Sequence, residues 1–284
     1  MTGPVIVCAD RSPAHRRALR WAAAAARRRR TALDIVIPAR PDAQPPSRRL
    51  GVLATVLGAV PGRAVRGGVA DALRRRSTEA GALVVPATLP DVAAVVADAH
   101  CPVAVVPAAP EVVQGPVVLA AAPWTGDCVV ELAFAEASDL RAPLRAVRAW
   151  TEPRIDLGLL RPVRSAEWDG AGRDSTEWDS AEERVQHELD IALSPWRFIH
   201  PEVDLQAVAV QDRAAGLLVA LSRRARLVIV GRSERGAFLG GFSESPVTAL
   251  LRAAHCPILV VPAEGPPRTA WLPGRDRGWA FTAR

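Results

Sequence analysis

The sequence predicts an α/β protein of two tandem doubly wound units, each a parallel five-stranded sheet sandwiched by helices. Three observations carry this prediction. Ala99-His100-Cys101-Pro102-Val103-Ala104-Val105-Val106-Pro107-Ala108 recurs as Ala254-His255-Cys256-Pro257-Ile258-Leu259-Val260-Val261-Pro262-Ala263, so the chain is two copies of one unit. The candidate strands are short, β-branched and nearly all apolar, the mark of burial on both faces of a parallel sheet. Alanine-rich helical patterns alternate with them, and that alternation winds a sheet from both sides.

The first copy opens with a strand at 4–9. Ser12 is a good N-cap for the following helix, and Pro13 falls at its first position, where a missing N–H does no harm. That helix runs to about Arg30, with a strand at 33–37 after it. A helix over 47–60, a weak strand near Ala64-Val65 and a helix over 69–77 come next. The apolar strand 82–85, a short helix at 91–99 and a last strand at 103–106 complete the unit.

Pro116-Val117-Val118-Leu119 restarts the pattern as the counterpart of Pro4-Val5-Ile6-Val7. Strands are expected at 117–121, 144–149, 203–209, 226–230 and 258–261, with helices at 127–140, 181–194, 213–224 and 246–254. Ser180 and Glu183 read as a capping box opening the helix at 181. Over 165–180, Glu167-Trp168-Asp169 and Glu177-Trp178-Asp179 repeat a tripeptide, read as a mobile loop with two partly tucked indoles. The units are placed at 1–110 and 114–264, and the Pro/Gly/Arg-rich stretch 265–284 is read as a disordered basic tail.

Composition removes several function classes. The 36 basic residues are all arginine and outnumber the 30 acidic ones, giving a net charge of +6. Nucleic-acid binding would need those arginines on one face with aromatic platforms. They are scattered instead, apart from Arg27–Arg30, which read as a solvated helix end that complements the helix dipole. No apolar run approaches the ~20 residues of a membrane span. The opening Met1-Thr2-Gly3-Pro4 lacks a secretory pattern, so a cytoplasmic location is expected. Cys8, Cys101, Cys128 and Cys256 show no metal-finger spacing and fit small buried thiols in a reducing compartment.

These residues together resemble the universal stress protein family in tandem form. The likeness runs through Val7–Pro13, Ala18–Ala22 and Cys101–Val103 in the first copy. In the second it runs through Pro195-Trp196, Pro201–Val203, Ala214–Ser222, Leu227–Gly231 and Cys256–Ile258. The resemblance implies sheets of order 3-2-1-4-5 and an internal pseudo-dimer joined through the last strands, with a homodimer as a further option. Many members bind ATP through an acidic residue after the first strand and a G-x2-G-x9-G-[ST] loop after the fourth. The glycines let backbone approach the phosphates, and the following helix supplies N–H donors.

Set against that motif, each copy departs from it differently. The first keeps the acid, Asp10, but passes from Val85 through Pro86-Ala87-Thr88-Leu89-Pro90 into its last helix with no glycine loop. The second keeps Gly231, the nine-residue gap and Ser245, yet places Glu234 and Glu244 where glycines belong. Two carboxylates ~4 Å apart repel by roughly 4 kcal/mol at an effective dielectric near 20, and phosphates would add to that repulsion. The acid's position falls on Ala121 or Ala122. Gly240 and Gly241 offer a shifted loop, and Arg232 and Arg235 an offset to the acids.

The resulting expectation is a non-catalytic, stress-linked binding or interaction module with a degenerate nucleotide site and no expected cofactor. One alternative retains ATP in the second copy through Gly231, Gly240, Gly241 and Ser245. Another is a thiol redox sensor at Cys101 or Cys256, each beside a histidine. No Walker lysine, hydrolase elbow or HExxH pattern occurs, so no catalytic residue is assigned.

Overall fold

Each opening strand is preceded by glycine and proline, and the backbone explains why. Gly3 and Gly115 lie where the chain passes so close to the Glu79 and Arg224 carbonyls that a Cβ would collide, and Gly115 also has φ of +144°. The passage lets Pro4 and Pro116 carbonyls accept from Gly81 and Arg226 at 2.9 Å each, which starts the central strand pairs in register. The computed structural model describes residues 3–9, 12–38, 59–65, 68–108, 114–150, 175–232 and 245–262.

In the first half these are β1 (Val5–Cys8), α1 (Pro13–Arg28), β2 (Leu33–Pro38), β3 (Ala59–Val65), α2 (Val69–Arg76), β4 (Ala82–Pro86), α3 (Val92–Asp98) and β5 (Val103–Val106). The second half adds β6 (Val117–Ala120), α4 (Asp127–Leu140), β7 (Leu144–Trp150), α5 (Ser175–Ile199), β8 (Leu205–Gln211), α6 (Ala214–Ser222), β9 (Leu227–Gly231), α7 (Pro246–Ala253) and β10 (Ile258–Val261). All ten strands form one sheet in the order β3-β2-β1-β4-β5-β10-β9-β6-β7-β8. Each half therefore has the order 3-2-1-4-5, with parallel pairs throughout. The halves meet where β5 and β10 run antiparallel, pairing Val105 with Ile258 and Val103 with Val260.

Local chemistry accounts for the element ends. Ser12 accepts from the His15 amide at 3.3 Å, and Pro13 opens α1. Alanines 14, 18, 22, 25 and 26 of α1 are buried, so the helix lies close on the sheet. Ser77 and Ser222 form matching latches after α2 and α6. Each hydroxyl donates to the carbonyl three residues back at 2.6 Å and accepts the amide of His100 or His255 at 3.0 Å. Both serines are buried, and they fix the turn that leads into the last strand of each half.

Three expectations need correction. Residues 59 and 60 begin β3 rather than ending a helix, because Pro61 and Gly62 are tolerated on a strand that lies at the sheet edge; the rest of 47–60 lies outside the described residues. Ser180 is no cap, since α5 starts five residues earlier and continues to Ile199. Within α5, Pro195 removes the N–H that Ile191 would use, and the Ser194 hydroxyl donates to the Ile191 carbonyl at 3.0 Å instead. Finally, the arginine run is not simply solvated. Arg28 and Arg29 both reach Glu136 of α4, a fully buried carboxylate 107 residues away from Arg29.

The two halves are thus tied on both faces of the sheet. On the α1/α4 face, burial pushes the Glu136 carboxyl up, but the charges and hydrogen bonds of Arg29 and Arg28 outweigh this and hold it below its ordinary 4.5. On the other face, Arg232 donates through Nη1 to the carbonyls of Val96 and Ala99, both at 2.9 Å. Helix α3 has no basic residue in its own last turn, so the second half supplies the cation that its carbonyl end lacks.

Two outcomes are expected. Glu136→Ala should lower stability by about 3 kcal/mol at pH 7, because it removes the buried carboxylate that Arg28 and Arg29 share. Since the folded carboxyl lies below its unfolded value, this contribution is full above about 4.5 and is lost as pH falls through the lower folded value. Urea titrations at pH 7 and pH 4 should show the gap between wild type and Glu136→Gln narrowing at pH 4. Arg232→Ala should lower stability by about 2 kcal/mol, the loss of charge-assisted hydrogen bonds to two carbonyls; thermal melts check it.

Candidate functional site

Open parallel sheets bind ligands beyond their strand carboxyl ends, where neighbouring connections leave on opposite faces. In the second half that point lies between β6 and β9. Ala120-Ala121-Ala122 leave β6 there, and Gly231 ends β9. The amino termini of α4 and α7 face the same place. A cleft of about 860 Å³ occupies it and extends across to α3 of the first half, where Ala93 and Ala97 form part of its wall. The cleft thus draws residues from both halves.

The cleft brings Gly231 and Ser245 together. A Cβ on Gly231 would stand 3.3 Å from Val129 Cγ2, so this glycine allows α4 to pack close to β9. Ser245 precedes α7, its side chain makes no capping bond, and Pro246 fills the first helical position. Asp10, Glu234, Gly240, Gly241 and Glu244 lie outside the described residues, as do Arg235, Glu167-Trp168-Asp169 and the tail; Glu177-Trp178-Asp179, expected in a loop, lies instead in α5.

The described lining of the cleft is nearly uncharged. Ala121 is buried and Ala122 half-buried where the family pattern calls for an acid. Thr125 at the mouth is turned inward on its own backbone, its hydroxyl accepting from the Ala122 amide at 2.8 Å. Among the described lining residues, Arg232 alone carries charge, and its guanidinium is engaged by Val96 and Ala99. Sequence reasoning assigned Arg232 to offsetting Glu234 and Glu244; its partners lie over 130 residues away, and no local signal points to them.

The matching connection in the first half is a short turn. Residues 86–89 make a tight turn in which the Leu89 amide donates to the Pro86 carbonyl at 3.0 Å, and the Ala87 amide bonds Val106 at 2.8 Å. Leu89 is buried in the core shared by Val85, Val95 and Val105. Asp91 takes a left-handed φ of 58° to enter α3. A side chain thus fills the space that a glycine loop would border.

The thiols are placed for packing. Cys101 and Cys256 are 1% and 0% exposed, and burial pushes both up to about 12, so both stay protonated at neutral pH. Of the histidines beside them, His100 meets Ser77 at 3.3 Å through Nδ1, while His255 Nδ1 is buried without a partner among the described residues. Among the described residues, no three His, Cys, Asp or Glu side chains gather to hold a metal. No described helix is long and apolar enough to cross a membrane.

Comparison with known proteins agrees with this geometry. The chain is 34% identical over 167 residues to universal stress protein Rv1996 of Mycobacterium tuberculosis, a match covering 57% of this chain and 49% of the relative. A second protein of that organism, universal stress protein Rv2623, is 28% identical over 167 residues, covering 57% of this chain and 51% of its own. The matched segment thus spans about half the length of these relatives. The fold as a whole is that of a functionally unknown protein from Pseudomonas aeruginosa, at 15% identity and a TM-score of 0.64, with 92% of each chain covered. A universal stress protein from Archaeoglobus fulgidus has it too, at 11% identity and a TM-score of 0.56, covering 92% of this chain and 98% of its own. The signature of the universal stress protein family matches residues 125–262, so the second half of the chain is similar to that family.

Proposed function

We propose that the protein is a non-catalytic binding module of the stress response whose crevice no longer takes a nucleoside triphosphate. The observation that carries this reading is the engagement of Arg232. A triphosphate brings about four negative charges, and burying them without paired cations or aligned donors is strongly unfavourable. The described lining offers one guanidinium, already bonded to the carbonyl end of α3. In sequence, Glu234 and Glu244 add negative charge to the same loop. The first half offers no substitute, because its connection is a short turn that buries Leu89.

A second reading, retained nucleotide binding in the second half, is favoured by one feature. Gly231 and Ser245 still flank the cleft, and the Ser245 hydroxyl is not used as a cap. It predicts nucleotide copurifying with the protein and lost from the Gly231→Val/Ser245→Ala double variant. The thiol-sensor reading is disfavoured by the burial and protonation of Cys101 and Cys256.

Calorimetric titration with Mg-ATP should give no saturable heat up to about 100 times a micromolar Kd; a micromolar isotherm of one equivalent would overturn the proposal. Thiol labelling mapped by mass spectrometry should modify Cys101 and Cys256 only after unfolding in urea. Rapid labelling of either in the native protein would revive the redox reading.

A further inference from the structure

The cleft has lost the chemistry of a phosphate site but not its volume. About 860 Å³ lies within the ~300–1,000 Å³ typical of small-molecule sites. Its described walls are mainly aliphatic: Ala93 and Ala97 from α3, Val147 and Ala149 from β7, Leu217 from α6 and Leu251 from α7. The indole of Trp124, 45% exposed, stands at the mouth. Polar groups are few. The Thr125 hydroxyl is bonded to the chain, and Ser245 and Thr248 sit together at the start of α7.

We propose that this cleft binds a neutral, largely apolar small molecule, held between α3 of the first half and α6, α7 and β7 of the second. The proposal rests on the reading that the crevice has given up triphosphate binding, and it adds the class of ligand that replaces it. A charged ligand would find one guanidinium among the described lining residues, and its Nη1 already serves α3. A neutral one gains by removing apolar surface from water on both sides. The α7 hydroxyls and the Trp124 ring supply orientation, a hydrogen bond to one polar atom and a flat surface for a ring. Because both halves wall the cleft and Arg232 ties its floor to α3, bound ligand also strengthens the contact between halves.

The test titrates the whole chain with 1-aminoanthracene, a neutral three-ring fluorophore that brightens on leaving water. Binding should saturate at one equivalent. It should weaken at least tenfold in Ala97→Trp, which fills the cleft from the first half, and in Ala149→Trp, which fills it from the second. Ala97 is an exposed helix position, so this variant remains informative even if Ala149→Trp fails to fold, as judged by circular dichroism. Phe198→Ser should leave binding unchanged, because Phe198, 89% exposed on α5, is an apolar surface side chain that does not line the cleft. Absence of saturable binding to folded wild type, unchanged binding in Ala97→Trp, or loss in Phe198→Ser would each overturn the proposal. Micromolar Mg-ATP binding would instead overturn the reading beneath it.

Discussion

Strands β5 and β10 have four residues each, and each would be an exposed edge without the other. An unpaired, wholly apolar edge strand is an aggregation hazard, and pairing the two edges removes it inside one chain. The antiparallel join also fixes everything that crosses it. It brings α1 beside α4 on one face and α3 beside α7 on the other. It thereby sets Glu136 within reach of Arg28 and Arg29, and the carbonyl end of α3 within reach of Arg232. The ten-stranded sheet depends on this contact, and so does the shape of the cleft.

The two halves share a backbone plan but not a site. Gene-level duplication is visible in the Gly-Pro entries to β1 and β6 and in the Ser77 and Ser222 latches. The ties across the join break the symmetry. Arg232 has Ala87 as its counterpart by strand register, too short to reach α7, so one half donates the cation and the other receives it. The half that receives it turns tightly after β4 and buries Leu89 in its core. The half that donates it keeps an open cleft but commits its cation to the fold. Arg232 thus both lines the crevice and ties the halves together.

Much of this was legible in the sequence, and the reason is local. The His-Cys-Pro repeat, the apolar strands, the Ser12-Pro13 helix start and the order of elements depend on neighbours within one turn or one strand. The misreadings involve groups whose partners are remote. Pro61 and Gly62 look like breakers until the strand is known to lie at an edge. Ser180 looks like a cap because the helix before it lacks a strong apolar stripe. Arg28, Arg29 and Arg232 meet groups more than 100 residues away, and an arginine's residue type does not name its acceptor. Of the candidate site, the deletion after Val85 and the alanines at 121 and 122 were readable, whereas the wall contributed by α3 was not. Glu234 and Glu244 stand as a chemical argument from residue type.

The commitment of Arg232 to α3 is the point on which the functional account turns, and a crystal soaked in millimolar Mg-ATP tests it most directly. The account predicts a crevice without triphosphate density and Arg232 Nη1 still on the carbonyls of Val96 and Ala99. Phosphates ordered at the start of α7, with Arg232 swung from α3 to meet them, would contradict it.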